Sequence, residues 1–192
     1  LRSDCPVLVT AGNLVGKKGF DTILRVLARL TERPLPYYIV VGDGPEEERL
    51  QRLASDLGVA GHVSFVGRKN QAELAQYYRA ADVYVLASQE ETMGRTYFEA
   101  GACGIPVLGA RVGGVPDVVR HGENGLLVDD PEDEEAIAAC VRRLLADAGL
   151  RQRLGAAGLK RAREEFSWDG VGARFEELLI GAAGGDRASG AT

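Results

Sequence analysis

Ser88-Gln-Glu-Glu-Thr-Met-Gly-Arg-Thr-Tyr-Phe-Glu-Ala-Gly-Ala-Cys-Gly-Ile-Pro106 is the stretch on which the reading of this chain turns. It follows Asp82-Val-Tyr-Val-Leu-Ala87, a short apolar run rich in β-branched and aromatic residues, which reads as a buried strand ending where the acids begin. Beyond Gly94 the pattern turns helical, with Tyr97, Phe98, Gly101 and Ala102 spaced for one packed face, and it closes at Gly104 ahead of Ile105-Pro106. Two carboxylates, Glu91 and Glu99, therefore bracket a strand-to-helix turn. The first N–H groups of a helix lack internal partners and lie at the positive end of its dipole, so the turn suits an anionic guest such as a phosphate. Eight helical steps would separate the two acids by about 12 Å. That is too far to share one proton or flank one bond, and it points to opposite ends of one long ligand.

The same strand–loop–helix unit recurs on either side. Pro6 to Thr10 reads as a strand, Ala11 to Gly19 as a glycine-bearing loop, and Phe20, Ile23, Leu24, Leu27 and Leu30 as a helix. The loop is not a Walker A motif, because Gly12 to Gly16 is one residue too short and no Ser or Thr follows Lys17; what survives is a lysine pair, Lys17 and Lys18, at a loop-to-helix junction. A strand at Pro36 to Val41 leads into Gly42-Asp43-Gly44-Pro45, and Leu50, Leu53, Ala54 and Leu57 mark a helix stopped by Gly58. Glu47 stands where a dinucleotide fingerprint needs its third glycine, so the Gly42 turn reads as close packing near a ligand. Val63 to Val66 is a strand followed by the basic loop Gly67-Arg68-Lys69. Asn70 and Glu73 are a capping pair for a helix whose Tyr77 and Tyr78 read as packing residues.

Pro106 to Gly109 and Leu126 to Val128 complete a set of six strands. Between them lie a Gly113-Gly114 turn and a short helix with Pro116 as its first residue. Helical sequence begins at Pro131, with Ile137, Val141, Leu144 and Leu145 on one face. A second helix carries Leu150, Leu154 and Phe166, and Ser167 caps a third with Phe175, Leu178 and Leu179. Alternation of this kind predicts an α/β fold, a Rossmann-like parallel sheet sandwiched by helices, with ligands at the carboxyl ends of the strands. Asn13 to Lys18, Gly42 to Pro45, Arg68-Lys69 and Glu91 to Glu99 all follow predicted strands, so one cleft collects them, with Lys18 expected on the wall opposite the acids.

Composition narrows the function classes. The 192 residues carry 23 Lys and Arg against 28 Asp and Glu, a net charge of −5. That argues against a nucleic-acid or anionic-membrane binder, so any phosphate site is local. Cys5, Cys103 and Cys140 are odd in number and in no metal spacing, which reads as buried thiols in a reducing compartment. No apolar run approaches the roughly 20 residues that span a bilayer. His62 and His121 have no convergent acid or cysteine and read as structural. The start without Met suggests a piece of a longer chain, with one domain over residues 1–180 and a flexible Gly/Ala-rich tail over 181–192.

With these motifs in order, the sequence resembles the C-terminal, donor-binding domain of retaining GT-B glycosyltransferases of the family 4-like, group 1 type. The likeness runs from Leu8 to about Leu179. It is carried by Glu91-Thr-Met-Gly94 through Glu99-Ala100, which looks like the family's Glu-x7-Glu signature, and by Gly104-Ile-Pro106-Val107 and Gly113-Gly-Val-Pro116. The Gly12 to Gly19 loop, Val41-Gly-Asp-Gly-Pro45, Val63-x-Phe65-x-Gly67 and Asn124-Gly-Leu-Leu127 support it. The resemblance implies one half of a GT-B fold, with an N-terminal acceptor domain absent from this chain. It implies that Glu99 binds ribose hydroxyls and Glu91 a donor-sugar hydroxyl. Lys18 would neutralise the diphosphate with backbone amides around Gly94, Arg95 and Thr96, in the turn that also holds Thr92 and Met93, and Arg68 and Lys69 would meet the base near Gly42. Asn13 departs from the family, which often has arginine there, so Lys18 or another basic residue would carry that charge.

The implied chemistry is transfer of a sugar, with retention of configuration, from a nucleotide-diphosphate sugar to an acceptor hydroxyl. UDP is the default carrier, Lys18 and Glu91 act in the transfer, and no cofactor or metal is required. The fragment alone is expected to bind nucleotide and transfer poorly. Its partners would be the nucleotide sugar and, through the missing domain, an acceptor glycan, lipid or small molecule, with no nucleic acid. It would reside in the cytoplasm, the full-length enzyme at the inner face of the membrane. The alternatives are a nucleotide-sugar epimerase or phosphorylase-like enzyme of related architecture, and a non-catalytic nucleotide-binding module.

Overall fold

The computed structural model describes residues 5–31, 33–167 and 175–176. Six strands, β1 (Val7–Ala11), β2 (Tyr37–Val41), β3 (Val63–Phe65), β4 (Val83–Val85), β5 (Val107–Ala110) and β6 (Gly125–Val128), form one sheet in the order β3-β2-β1-β4-β5-β6. Every pairing is parallel, with Val7 opposite Tyr37, Leu8 opposite Val83, Tyr84 opposite Val107 and Leu108 opposite Leu126. The strands read as apolar runs rather than alternating ones because helices cover both faces, and β1, β4, β5 and β6 are buried along their whole length.

Seven α-helices and two short 3-10 helices (Gly16–Lys18 and Ala60–His62) complete the described fold; the α-helices are α1 (Phe20–Arg29), α2 (Glu47–Asp56), α3 (Gln71–Arg79), α4 (Arg95–Ala102), α5 (Val115–Val118), α6 (Glu134–Ala146) and α7 (Ala148–Glu165). α1 packs on α2 and α6, while α4 packs on α3, α5 and α7, giving a helical layer on each side of the sheet. The α4–α7 contact is backbone on backbone. A Cβ on Gly155 would lie 2.0 Å from the Gly104 carbonyl oxygen, and one on Gly158 would lie 3.3 Å from the Gly101 Cα. The expected Rossmann-like sheet sandwiched by helices is thus present, and the strand order reverses direction between β1 and β4.

Some expectations shift. Helix α6 starts at Glu134 rather than Pro131, because the Asp133 carboxylate accepts from the Ala136 amide and makes Asp133 the cap. Pro116 is the second residue of α5, after Val115. The predicted strand from Asp82 to Ala87 is ordered as a ladder only over Val83–Val85. Cys5, Cys103 and Cys140 are free thiols but half-buried rather than buried; burial pushes the Cys103 and Cys140 thiols up. The Asn70–Glu73 capping box forms as read, and His121 is structural, its Nδ1 lying 3.0 Å from both the amide and the carbonyl of Leu127. Phe175 is helical, but Leu178, Leu179 and the predicted tail from Gly181 lie outside the described residues. No helix among the described residues is long and apolar enough to cross a membrane.

Candidate functional site

Strand order reverses between β1 and β4, and the loops leaving these two strands lie side by side at the carboxyl edge of the sheet, where ligands of such folds bind. Those two loops are fixed to each other at their bases. The Gln89 amide donates to the Lys17 carbonyl at 2.8 Å. Gly19, at φ +68, sits so close that a Cβ would fall 2.0 Å from the Ala87 carbonyl oxygen. The loop after β5 clamps the other side of the acidic loop. The Gly114 amide donates to the Glu91 carbonyl at 3.1 Å, and a Cβ on Gly113, at φ +48, would lie 1.7 Å from that oxygen. Only glycine tolerates such approaches in that backbone region.

This backbone frame puts Glu91 against Lys18. Oε2 of Glu91 accepts from the Lys18 ammonium at 2.6 Å, and the two side chains are only 12% and 20% exposed. Oε1 accepts from the amides of Gly94 at 3.3 Å and Met93 at 3.4 Å. Burial pushes the Glu91 carboxyl up, but the Lys18 hydrogen bond and charge, with the two amides, outweigh it and hold the group below the usual carboxylate value. Lys18 is therefore not set across a cleft from Glu91, as the sequence suggests. Because β1 and β4 are neighbours in the sheet, the two charges meet. Met93 is 72% exposed at the tip of this loop and Thr92 is exposed beside it.

Glu99 belongs to a second cluster one α4 turn away. Its Oε1 accepts from Arg95 Nε at 2.8 Å and its Oε2 from the Tyr78 hydroxyl at 3.4 Å. Arg95 is 76% exposed and Glu99 is 16% exposed. A cation in the first helical turn opposes the helix dipole, at a cost of about 0.3–1 kcal/mol. Beneath both acids runs a column of buried tyrosines, Tyr78, Tyr84 and Tyr97, whose rings meet edge to face at 5.8 and 5.2 Å. Burial raises all three phenols far above their ordinary value, so each remains a donor. Tyr84 donates to Thr96 Oγ1 at 2.7 Å and Tyr97 to the Leu86 carbonyl at 2.7 Å, tying α4 to the end of β4.

An open cleft of about 270 Å³ lies alongside, lined by Asn13, Gly42, Arg68, Lys69, Arg95, Thr96 and Glu99, so the structure brings these predicted residues together. Lys18, Glu91, Thr92, Met93 and Gly94 are outside that lining, in the adjoining loop pair. Gly42 is there for packing: a Cβ would lie 1.9 Å from the Gly12 carbonyl oxygen, and its amide donates to the Gly67 carbonyl at 3.0 Å. The sequence reading misses Gln71 and Leu74, which complete the wall beyond Lys69. Both follow the Asn70 cap, so their place on the first turn of α3 was the available signal. Among the described residues no three His, Cys, Asp or Glu side chains gather as a metal site requires.

Comparison with known proteins bears on this arrangement. The chain is 41% identical over 186 residues, 93% of its length, to a GDP-mannose-dependent alpha-(1-6)-phosphatidylinositol monomannoside mannosyltransferase of Mycolicibacterium smegmatis, of which it covers 48%. It superposes on sucrose-phosphate synthase from Thermosynechococcus elongatus with a TM-score of 0.84 and 32% identity, over 96% of this chain and 47% of that one. It superposes on HepE of Anabaena, solved with UDP and glucose, with a TM-score of 0.81 and 26% identity, over 92% of this chain and 48% of that one. The chain thus spans about half the length of these relatives. A family profile described as Glycosyl transferases group 1 matches residues 1–161, taking in every strand and both acid clusters. On that match, and on a sheet shared with GT-B glycosyltransferases, the chain belongs to the glycosyl transferases group 1 family.

Proposed function

We propose that this chain is the donor-binding half of a retaining glycosyltransferase and that its cleft holds the nucleoside diphosphate of a nucleotide sugar. The observation that carries the reading is the pairing of two acids, Glu91 in the loop before α4 and Glu99 on α4, each with its own cation, beside a cleft lined by Glu99, Arg68 and Lys69. Glu99 receives the ribose hydroxyls and Glu91 a hydroxyl of the sugar. The amides that open α4 and the Lys18 ammonium stabilise charge developing on the departing diphosphate, which is electrostatic catalysis by groups already in place. No metal or cofactor takes part in this scheme.

Against the default of UDP, the mannosyltransferase with 41% identity is named for GDP-mannose, whereas HepE, solved with UDP and glucose, shares 26%. The higher identity favours GDP-mannose as donor, with a UDP sugar as the second reading. An acceptor of the phosphoinositide class, named for the same relative, would be taken through a domain outside this chain, at the inner face of a membrane and in the reducing cytoplasm that three free thiols suit.

Calorimetric titration with GDP, UDP and ADP tests the proposal. GDP should bind most tightly, and Glu99→Gln should weaken the nucleotide without weakening pyrophosphate. Absence of binding to all three would leave the non-catalytic reading in its place. Given GDP-mannose and an acceptor, the chain alone should turn over slowly or not at all; robust transfer would contradict that part.

A further inference from the structure

From the two clusters around α4 we infer that Arg95 is a diphosphate-binding residue, released from Glu99 by the same ligand it goes on to hold. The inference rests on the nucleotide-sugar reading of the cleft and adds a residue and a coupling to it.

Arg95 is badly placed for a purely structural role. It occupies the first position of α4, where a cation opposes the dipole. It precedes its acid by four residues, which is the weaker order for a helical ion pair. Its side chain is 76% exposed, so the bond to Glu99 is screened by water. What the position does provide is access to an anion, because the same cleft is lined by Arg95, Thr96 and Glu99 on one side and by the neutral Asn13 on the other. A guanidinium has five N–H donors in a fork that matches two phosphate oxygens, and the Glu99 contact is made through Nε. Lys18 is differently committed, held at 2.6 Å in a mostly buried pair with Glu91.

Ligand entry then becomes an exchange of hydrogen-bond partners. The guanidinium leaves Glu99 for the diphosphate, and the carboxylate it vacates accepts the ribose hydroxyls. Each half favours the other, so a nucleoside diphosphate is preferred over either fragment by more than separate contacts would give.

Isothermal titration of the chain with GDP and with inorganic pyrophosphate tests this in wild type, Arg95→Ala, Arg95→Lys, Glu99→Gln and the Arg95→Ala/Glu99→Gln double variant. Arg95→Ala should weaken both ligands about tenfold or more, with Arg95→Lys recovering only part. Glu99→Gln should weaken GDP yet tighten pyrophosphate several-fold, because Arg95 is freed, and the double variant should lose that gain. Pyrophosphate affinity within twofold of wild type in Arg95→Ala, or a gain in Glu99→Gln that persists without Arg95, overturns the role of Arg95 while leaving the nucleotide site standing. A wild-type chain that binds neither ligand overturns both.

Discussion

Lys18–Glu91 and Arg95–Glu99 are chemically alike, a nitrogen cation on a carboxylate, and they sit at the two ends of one short stretch, yet they are built differently. The first joins residues 73 apart, is mostly buried, and is reinforced by two backbone amides. The second joins residues four apart on one helix, with its arginine largely in solvent. A buried carboxylate with a counter-charge loses much if that charge is removed, because water cannot replace it. An exposed i,i+4 pair is worth only a few tenths of a kcal/mol and exchanges partners readily. The contrast separates a pair that holds the loops in place from a pair able to respond to a ligand.

The sharpest way to break the contrast is at the backbone that seats Glu91. Gly113→Ala would put a Cβ 1.7 Å from the Glu91 carbonyl oxygen at a φ of +48. It should cost about 2–4 kcal/mol in urea unfolding, and an unchanged midpoint would mean that the loop moves freely. Next comes Lys18→Ala, which strands the Glu91 carboxylate and should destabilise the chain by about 1–3 kcal/mol. Nucleotide affinity should fall by about 1.5–3 kcal/mol, roughly 10- to 150-fold; loss of stability without loss of affinity would confine Lys18 to a structural role.

A smaller effect is carried by pH. The Glu91 carboxyl is depressed in the folded chain, so its contribution is fully present above the ordinary glutamate value of about 4.3 and is lost as pH falls through the lower folded value. Wild type should therefore exceed Glu91→Gln in thermal stability at neutral pH and converge on it in acid; a gap that widened in acid would reverse the sign. The smallest effect belongs to Arg95→Ala, within about 0.5 kcal/mol of wild type. A loss above about 1 kcal/mol would erase the distinction between the pairs.

The sheet was legible because parallel strands covered on both faces are continuous apolar runs, and the α3 start because a capping box is local sequence. The cleft was legible as a set of post-strand loops. What was hidden depended on strand order: Lys18 meets Glu91 only because β1 neighbours β4, and no local pattern states that adjacency. The tyrosine column was hidden for the same reason, since its rings come from α3, β4 and α4. The α6 boundary failed on a local competition, in which the Asp133 carboxylate caps the helix two residues beyond the expected start at Pro131.

The glycine seat of α4 on α7 bears on how this site can move. With Gly155 and Gly158 against the backbone of Gly104 and Gly101, no compressible side chain separates the two segments at these points. Sliding or rolling of α4 would drive main-chain atoms into one another. Partner exchange at Arg95 and Glu99 is therefore confined to side-chain rotamers while the helix axis stays put. Nucleotide binding should leave amide protection in the last turn of α4 unchanged, which makes the helix a fixed template for its ligand rather than a lever that moves with it.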